Sequence, residues 1–533
     1  MTSSAASSVR PGLRESRQPS SPHTPSRFIS STYSSPGSSF RQEEDAVIIE
    51  IGSRGLRAGF EGEAGPQCTI TFEPDGSRRI GDYRGWAPGK SDTEEKIENW
   101  GKQHELWHMD LGQFDLGLME DKLERAMREV YNKFLLTNAG SARLILVLPS
   151  ILPHPILSSL LTTFFNRWTY PSITLLPAPA MAAVAAGVRS ALVVDIGWHE
   201  TIATSIFELR EIHTTRTTRA MKTLTQHMGR HLTSLKESNA TGLDKGVEVT
   251  FNFVEEIVSR LAWCRPANTA DIDKVDTTIP QLEGLSITAD TPSPAPAEAT
   301  VNIDWPSATS SKSTTLPLRT FSEPFEAAFF AHGTPTSLLD DHEWSLPLLV
   351  YKELLSLPPD ARAVCMSRIV FVGGGAKVPG VCNRVLMEVG AIVKRYGWNA
   401  VRGKPVEQQR EKLKEIGQGR TGLPSARHGV PEPPGKDYVE DKLQKQAAKD
   451  TEVSVQGVLR LVESLGSWAG ASLLASLKIK GFVEVEREKF ISHGLNGAHR
   501  DVELSVVPQR QSYGSGTLKS NGDRSSWTLA GWA

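Results

Sequence analysis

Three glycine turns stand at the ends of short apolar runs, and backbone at each could bind an anion. Asp45–Gly52 reads DAVIIEIG, Ser190–Gly197 reads SALVVDIG, and Arg368–Gly380 reads RIVFVGGGAKVPG. Glycine lets backbone N–H groups approach a ligand closely, and successive N–H groups form an anion nest. A strand running into Gly373, Gly374 and Gly375 therefore suits a phosphate or an adenine ring. It is not a P-loop, because no GK[ST] follows at the required spacing. A fourth pattern is His104-Glu105-Leu106-Trp107-His108, which fits HExxH. On a helix it would set two imidazoles one turn apart to hold zinc, with Glu105 as general base. No glycine-histidine extension follows it. The expectation is a structural helix with Trp107 packed and the histidines mostly solvated.

The first two turns need strands on both sides. Each apolar run is followed by a second strand-like stretch, LRAGFEG after the first and ETIATSIFEL after the second. A buried strand, a turn of the form acid-x-Gly and a returning strand make a hairpin. Its occurrence twice points to an internally duplicated fold. Between the hairpins the pattern predicts an amphipathic helix (Met119–Leu136), a buried strand (Arg143–Pro149), a helix (Pro155–Trp168) and a strand (Ser172–Leu176). Alternating strands and helices indicate an α/β layered architecture.

The rest of the chain is more polar than such a fold requires. Of 533 residues, 39% are hydrophobic, below the usual ~45–50% even allowing for the residue set counted. The deficit is segregated. Residues 1–44 read as a disordered Ser/Pro/Arg tail, about 266–318 and 402–453 as polar insertions, and 498–533 as a polar tail. The remainder is one body of about 350 residues. Lys plus Arg number 59 against 61 Asp plus Glu, a net charge of -2, which gives no whole-surface reason to bind nucleic acid or anionic membrane. Cys68, Cys264, Cys365 and Cys382 form no CxxC pair, so neither a disulfide scaffold nor a thiolate zinc knuckle is expected. No membrane span and no secretory leader is expected. Five prolines argue against a transit helix in the Ser-rich N-terminus.

Two hairpin turns and a late GGG-x-x-x-PG turn resemble the layout of the actin and sugar-kinase superfamily, and the details resemble actin-related proteins. Gly52–Pro66 is similar to the family's first phosphate loop and following strand, and Asp195–Thr201 to its second phosphate loop. Val372–Gly380 is similar to the adenosine-side turn, and Ser467–Leu477 to the tryptophan-glycine helix near the actin C-terminus. ENWGKQHELWHMD is also similar to an actin stretch, which favours a structural role for it over zinc. The class at the pointed end of dynactin resembles this chain most, through EGEAGP, LLPAPAMAAVAAG and DIGWHET. The fold implied is α/β, an actin-like, ribonuclease H-like duplicated two-lobed fold with polar insertions. Its lobes would span 45–189 and 190–497.

The resemblance also implies a site. The magnesium-side aspartate of the family falls on Glu50, the phosphate-loop glycine and serine on Gly52 and Ser53, and the lysine on Arg57. A further loop glycine falls on Arg54, which would either crowd the phosphate site or point at phosphate. The second loop keeps Asp195 and Gly197, while its acidic-glycine pair becomes Trp198 and His199. Glu50, Gly52, Ser53, Arg57, Asp195 and Gly197, with Gly373, Gly374 and Gly375, are the candidates for ATP or ADP, with Mg near Glu50 and Asp195. The water-positioning glutamine and histidine of actin fall on Ala178 and Ile202, which cannot hydrogen-bond a water. The adenosine-contacting Lys-Glu pair falls on Val258 and Ser259. His231, Trp468 and Gly470 read as packing residues. No catalytic residue is therefore expected, and nucleotide binding stays open.

The implied function is a non-filament-forming, cytoplasmic cytoskeletal subunit with little or no ATP hydrolysis. It would cap the dynactin actin-like filament beside other pointed-end subunits, in dynein-driven transport. The alternatives are an actin-related subunit of a nuclear chromatin remodeller and an active actin-fold ATPase. A run of basic residues for nuclear import is missing, and Ala178 and Ile202 argue against hydrolysis.

Overall fold

A computed structural model of the chain describes residues 46–74, 77, 79–80, 97–112, 114–139, 143–237, 249–267, 299–306, 312–332, 334, 339–398, 457–478, 483–497 and 499–500. The expected tail at 1–44, the insertion at 402–453 and residues 501–533 lie outside these.

The first hairpin is β1 (Val47–Ile51) and β2 (Gly55–Phe60), extended by β3 (Cys68–Thr71). Helix α1 (Leu116–Glu129) leads through a π-helical turn, Val130–Leu135, to β4 (Leu144–Leu148). Asp115 caps α1 by accepting the Leu118 N–H at 3.1 Å. Then come α2 (His154–Arg167), β5 (Ser172–Pro177) and α3 (Ala178–Ala185). The second hairpin is β6 (Ala191–Ile196) and β7 (Thr201–Phe207), extended by β8 (Arg210–Thr217). Helices α4 (Met221–Glu237) and α5 (Phe251–Leu261) precede a ribbon of β9 (Thr300–Trp305) and β10 (Lys312–Pro317). Next are α6 (Glu323–Ala328), α7 (Leu346–Ser356), α8 (Pro359–Met366), β11 (Ile369–Val372) and α9 (Val381–Tyr396). The described chain closes with α10 (Ser467–Ser476), β12 (Val483–Glu486), α11 (Arg487–His493) and β13 (His499–Arg500).

The duplication is visible in the pairing. In one sheet β4 runs parallel to β1, and β1, β2 and β3 are successively antiparallel. In the other, β11 runs parallel to β6, and β6, β7 and β8 are successively antiparallel. The side-chain alternation of a strand assigns each residue to a layer. Val47, Ile49 and Ile51 enter the core of the first sheet, whereas Ala46 and Ile48 face a shared core. Leu192, Val194 and Ile196 likewise enter the second core, whereas Ala191 and Val193 face the shared one. Helices α3 and α10 fill that middle layer, with Trp468 and Ala471 against Met181 and Ala182. Strands covered on both faces are apolar throughout, which is why the two runs were so plain in the sequence.

Two expectations change. Thr300–Trp305 and Lys312–Pro317 fall inside the range read as a polar insertion, yet form the β9–β10 ribbon. Ile303, Trp305 and Leu316 are buried in the second core, and Trp305 packs against Phe253 of α5 with ring centroids 5.4 Å apart. The alternation of TVNIDW puts polar residues on the outer face, so composition averaged over the stretch hid a half-buried strand. Second, the range expected for the second lobe, 190–497, contains β12, which pairs antiparallel with β5 of the first sheet. Phe490 of α11 also packs on Phe165 of α2, with centroids 5.1 Å apart. β12 thereby covers an edge of β5 that would otherwise be bare.

Candidate functional site

The three glycine turns meet where the two sheets face each other. The first turn closes by the Gly52 N–H donating to Gly55 O at 2.9 Å, and the second by the Gly197 N–H donating to Glu200 O at 3.1 Å. Register sets the third beside the second, because Val372 of β11 lies opposite Asp195 of β6. Gly373 has φ +87°, and a Cβ there would run into the Asp195 carboxylate and stand 2.5 Å from Ile196 O. Only glycine fits there.

Strand register also pairs Glu50 with Arg57 across β1 and β2. Arg57 Nη1 donates to both Glu50 carboxylate oxygens, at 3.3 and 3.2 Å. Ser467 Oγ, at the start of α10, donates to Glu50 Oε1 at 2.7 Å. The sequence marked Ser467 only as the start of the tryptophan-glycine helix, not as a partner of Glu50. Burial, followed by the nearby Glu50 carboxylate, pushes Asp195 up to about 6, with Arg57 opposing. The candidates Glu50, Arg57, Asp195 and Gly373 are thus neighbours. Gly375 joins them, since a Cβ there would collide with Ile196. Ser53 is tied by its carbonyl, which accepts the Leu106 N–H at 2.7 Å.

The Glu200 carboxyl at the end of the second turn is pushed up from 4.5 to about 7, first by burial and then by Asp195, with Arg216 opposing. The folded state therefore keeps this proton at a pH where the unfolded chain has lost it. Stability falls as pH rises from about 4.5 towards 7, and the ionised form costs stability above that. Glu200→Gln should raise the unfolding temperature at about pH 8 and have much less effect near pH 5. Thermal melts at both pH values check this.

Arg54 neither stays in its own turn nor is left free. Its Nη1 donates to His104 O at 2.9 Å, and its Nη2 pairs with Glu255 of α5. Its guanidinium lies 4.8 Å from the Trp198 ring centroid and 5.3 Å from that of Phe251. Trp198 Nε1, in the second turn, donates to Glu105 Oε1 at 2.7 Å, and Lys222 Nζ of α4 donates to the same oxygen at 2.8 Å. His199 Nε2 lies 2.9 Å from Trp107 O and 3.6 Å from Glu105 Oε2. Lys122 of α1 props this segment by donating to Glu105 O at 2.7 Å and Gln103 O at 3.1 Å. Burial alone would raise the Glu105 carboxyl. His199 in its protonated form, the Lys222 charge and the bonds from Lys222 and Trp198 reverse that and hold it below its ordinary value. Burial makes His199 itself harder to protonate, so Lys222 and Trp198 carry the effect at neutral pH.

The structural helix expected here does not form, and the HExxH reading fails with it. A 3-10 turn covers Lys102–His104 and Glu105 is extended, at φ -106° and ψ 141°, so the histidines do not share a helix face. Trp107 is buried as expected. The histidines are half-buried rather than solvated: His104 packs on Phe251 and His108 on Phe114, at centroid distances of 4.6 and 4.8 Å. A cavity of about 390 Å³ lined by Lys102, His108, Met109, Asp110, His199 and Lys222 opens beside them. It includes none of the nucleotide candidates.

The remaining positions carry no polar reach into the cleft. Ala178 begins α3 and packs on the shared core, and Ile202 is buried in β7. Val258 is buried in the second core, and the Ser259 hydroxyl donates to Glu256 O at 2.9 Å. His231 lies 3.7 Å from Glu323. Trp468 is buried and donates to Ile48 O at 3.2 Å.

The family model described as Actin matches residues 41–259. The match runs from β1 to α5 and takes in both hairpin turns, Ala178 and Ile202, and the fold as a whole is actin-like, two-lobed and mixed α/β. Actin-family proteins are related to ATPases and commonly bind nucleotide with Mg. The residues between the turns of this chain do not fit a polyphosphate. Arg54 and Trp198 pack against each other there, Arg57 is held by Glu50, and the N–H groups of Gly52 and Gly197 are used in closing their own turns. Among the described residues no group of three or more His, Cys, Asp or Glu is placed to hold a metal ion, and no helix is long and apolar enough to cross a membrane.

Proposed function

We propose that this chain is a non-filament-forming, non-hydrolysing actin-fold subunit of a protein assembly. The observation behind this is the stacking of Arg54 on Trp198, which joins the two turns through the chain's own side chains. Ala178 and Ile202 support it, since neither can orient an attacking water. At the finer level, the assembly is the pointed end of the dynactin actin-like filament, in the cytoplasm. EGEAGP, LLPAPAMAAVAAG and DIGWHET support that choice by resemblance. A cap needs one surface compatible with the filament and another that stops addition. The polar insertions are the candidates for the second surface. Affinity purification of the full chain should recover dynactin filament and pointed-end subunits. Recovery of chromatin-remodeller subunits instead would refute the assignment. Deletions that test the insertions should spare 300–305 and 312–317, whose Ile303, Trp305 and Leu316 are buried in the core. Removing 268–298 and 402–452 should let further subunits join, as read by filament length in an assembly assay.

A further inference from the structure

We infer that the chain holds its cleft closed with its own side chains, so that closure needs no nucleotide. The inference deepens the reading of a silent cleft and concerns what replaces the ligand. The links cross from one sheet's elements to the other's. Arg54 and Glu105 belong to the first side, the one in the β1–β2 turn and the other held on α1 by Lys122. Trp198, Lys222, Phe251 and Glu255 belong to the second, on the β6–β7 turn, α4 and α5.

Two pairs do the joining. The Arg54 guanidinium meets Glu255 while lying over the Trp198 and Phe251 rings, so the ion pair is roofed by aromatics. The Glu105 carboxylate, only 1% exposed, takes a hydrogen bond from Trp198 and another from Lys222. A buried carboxylate with two donors from the opposite side is a fixed bond, unlike a screened surface pair. Gly101 leaves room for it: φ is +86°, and a Cβ there would stand 2.9 Å from the Trp198 ring. Behind α5, Trp305 of the β9–β10 ribbon packs on Phe253, which fixes the helix that carries Glu255. A bound polyphosphate draws two lobes together by accepting donors from both. Here a cation from one turn and an anion from the opposite helix make the same connection with no ligand.

Hydrogen exchange of the full chain tests this. Protein stripped of nucleotide and divalent cations should show protection at 52–55, 197–200 and 251–261 that Mg·ATP changes by less than about twofold. Protection at both turns that rises about tenfold or more with Mg·ATP would overturn the inference. Arg54→Ala and Glu255→Ala should each raise exchange at 197–200, and the double variant should add nothing, because the partners share one link. Unchanged exchange at 197–200 in either variant would also overturn it. Should a variant fail to fold, the wild-type comparison decides alone. Phosphate release by the wild-type chain is a separate readout, so hydrolysis can be found with the lock intact, or the lock refuted with hydrolysis still absent.

Discussion

Glu105→Ala is expected to destabilise the protein by about 3–5 kcal/mol, the cost of removing one partner from a buried charge pair. The carboxylate is buried and serves Trp198, Lys222 and His199 together. Its loss leaves Lys222 without its carboxylate partner and strands the Trp198 N–H. Glu105→Gln keeps the shape and one acceptor, so its cost should be smaller, about 1–3 kcal/mol. Urea unfolding of the two variants at neutral pH measures both. The sign of the pH dependence follows from the depressed carboxyl. Its stabilisation is present above the ordinary value of 4.5 and is lost as pH falls through the lower folded value. The gap between wild type and Glu105→Gln should therefore close in acid and stay constant from about pH 6 to 8.

Gly470→Ala should be nearly as damaging, although it adds one methyl. That carbon would collide with Met181 O of α3 and stand 2.8 Å from Met181 C and 3.2 Å from Ala185 N. These are backbone atoms of a helix buried between both sheets, so α10 must move as a body. Overpacking costs about 1–3 kcal/mol, and the upper end applies where no side chain can yield. The shift would also withdraw Ser467 from Glu50 and Trp468 from Ile48 O, linking a packing defect to the site. Gly65→Ala is the control, since its Cβ would meet nothing within 4 Å. Calorimetry should show a large fall in unfolding temperature for the first and almost none for the second.

What the sequence made legible follows the range of the interactions. The hairpins at 47–60 and 191–207 were legible because the first strand of each is largely apolar on both faces and runs into a glycine turn. The packing role of Trp468 and Gly470 was legible from a large residue placed beside a small one. The β9–β10 ribbon was hidden because only alternate residues are buried and its flanks are polar. The return of β12 to β5 has no local signature, since a short VEVE strand does not name its partner. The crossing of the cleft was the least legible feature. Arg54 and Glu255 are 201 positions apart, and Trp198 and Glu105 are 93. Arg54 stood out as a large residue where the resembled family has glycine, yet the partner that decided its direction lay on a different layer. Glu105 was visible only inside a zinc-like pattern. That pattern assumes a helix, and the chain leaves the helical region at Glu105.

The most direct test of the account is single-turnover release of γ-phosphate from ATP with Mg, using the purified full chain. With Ala178 and Ile202 unable to position a water and Arg54 stacked on Trp198 between the turns, no release above the protein-free control is expected. A release rate comparable to that of filament-forming actin would contradict it.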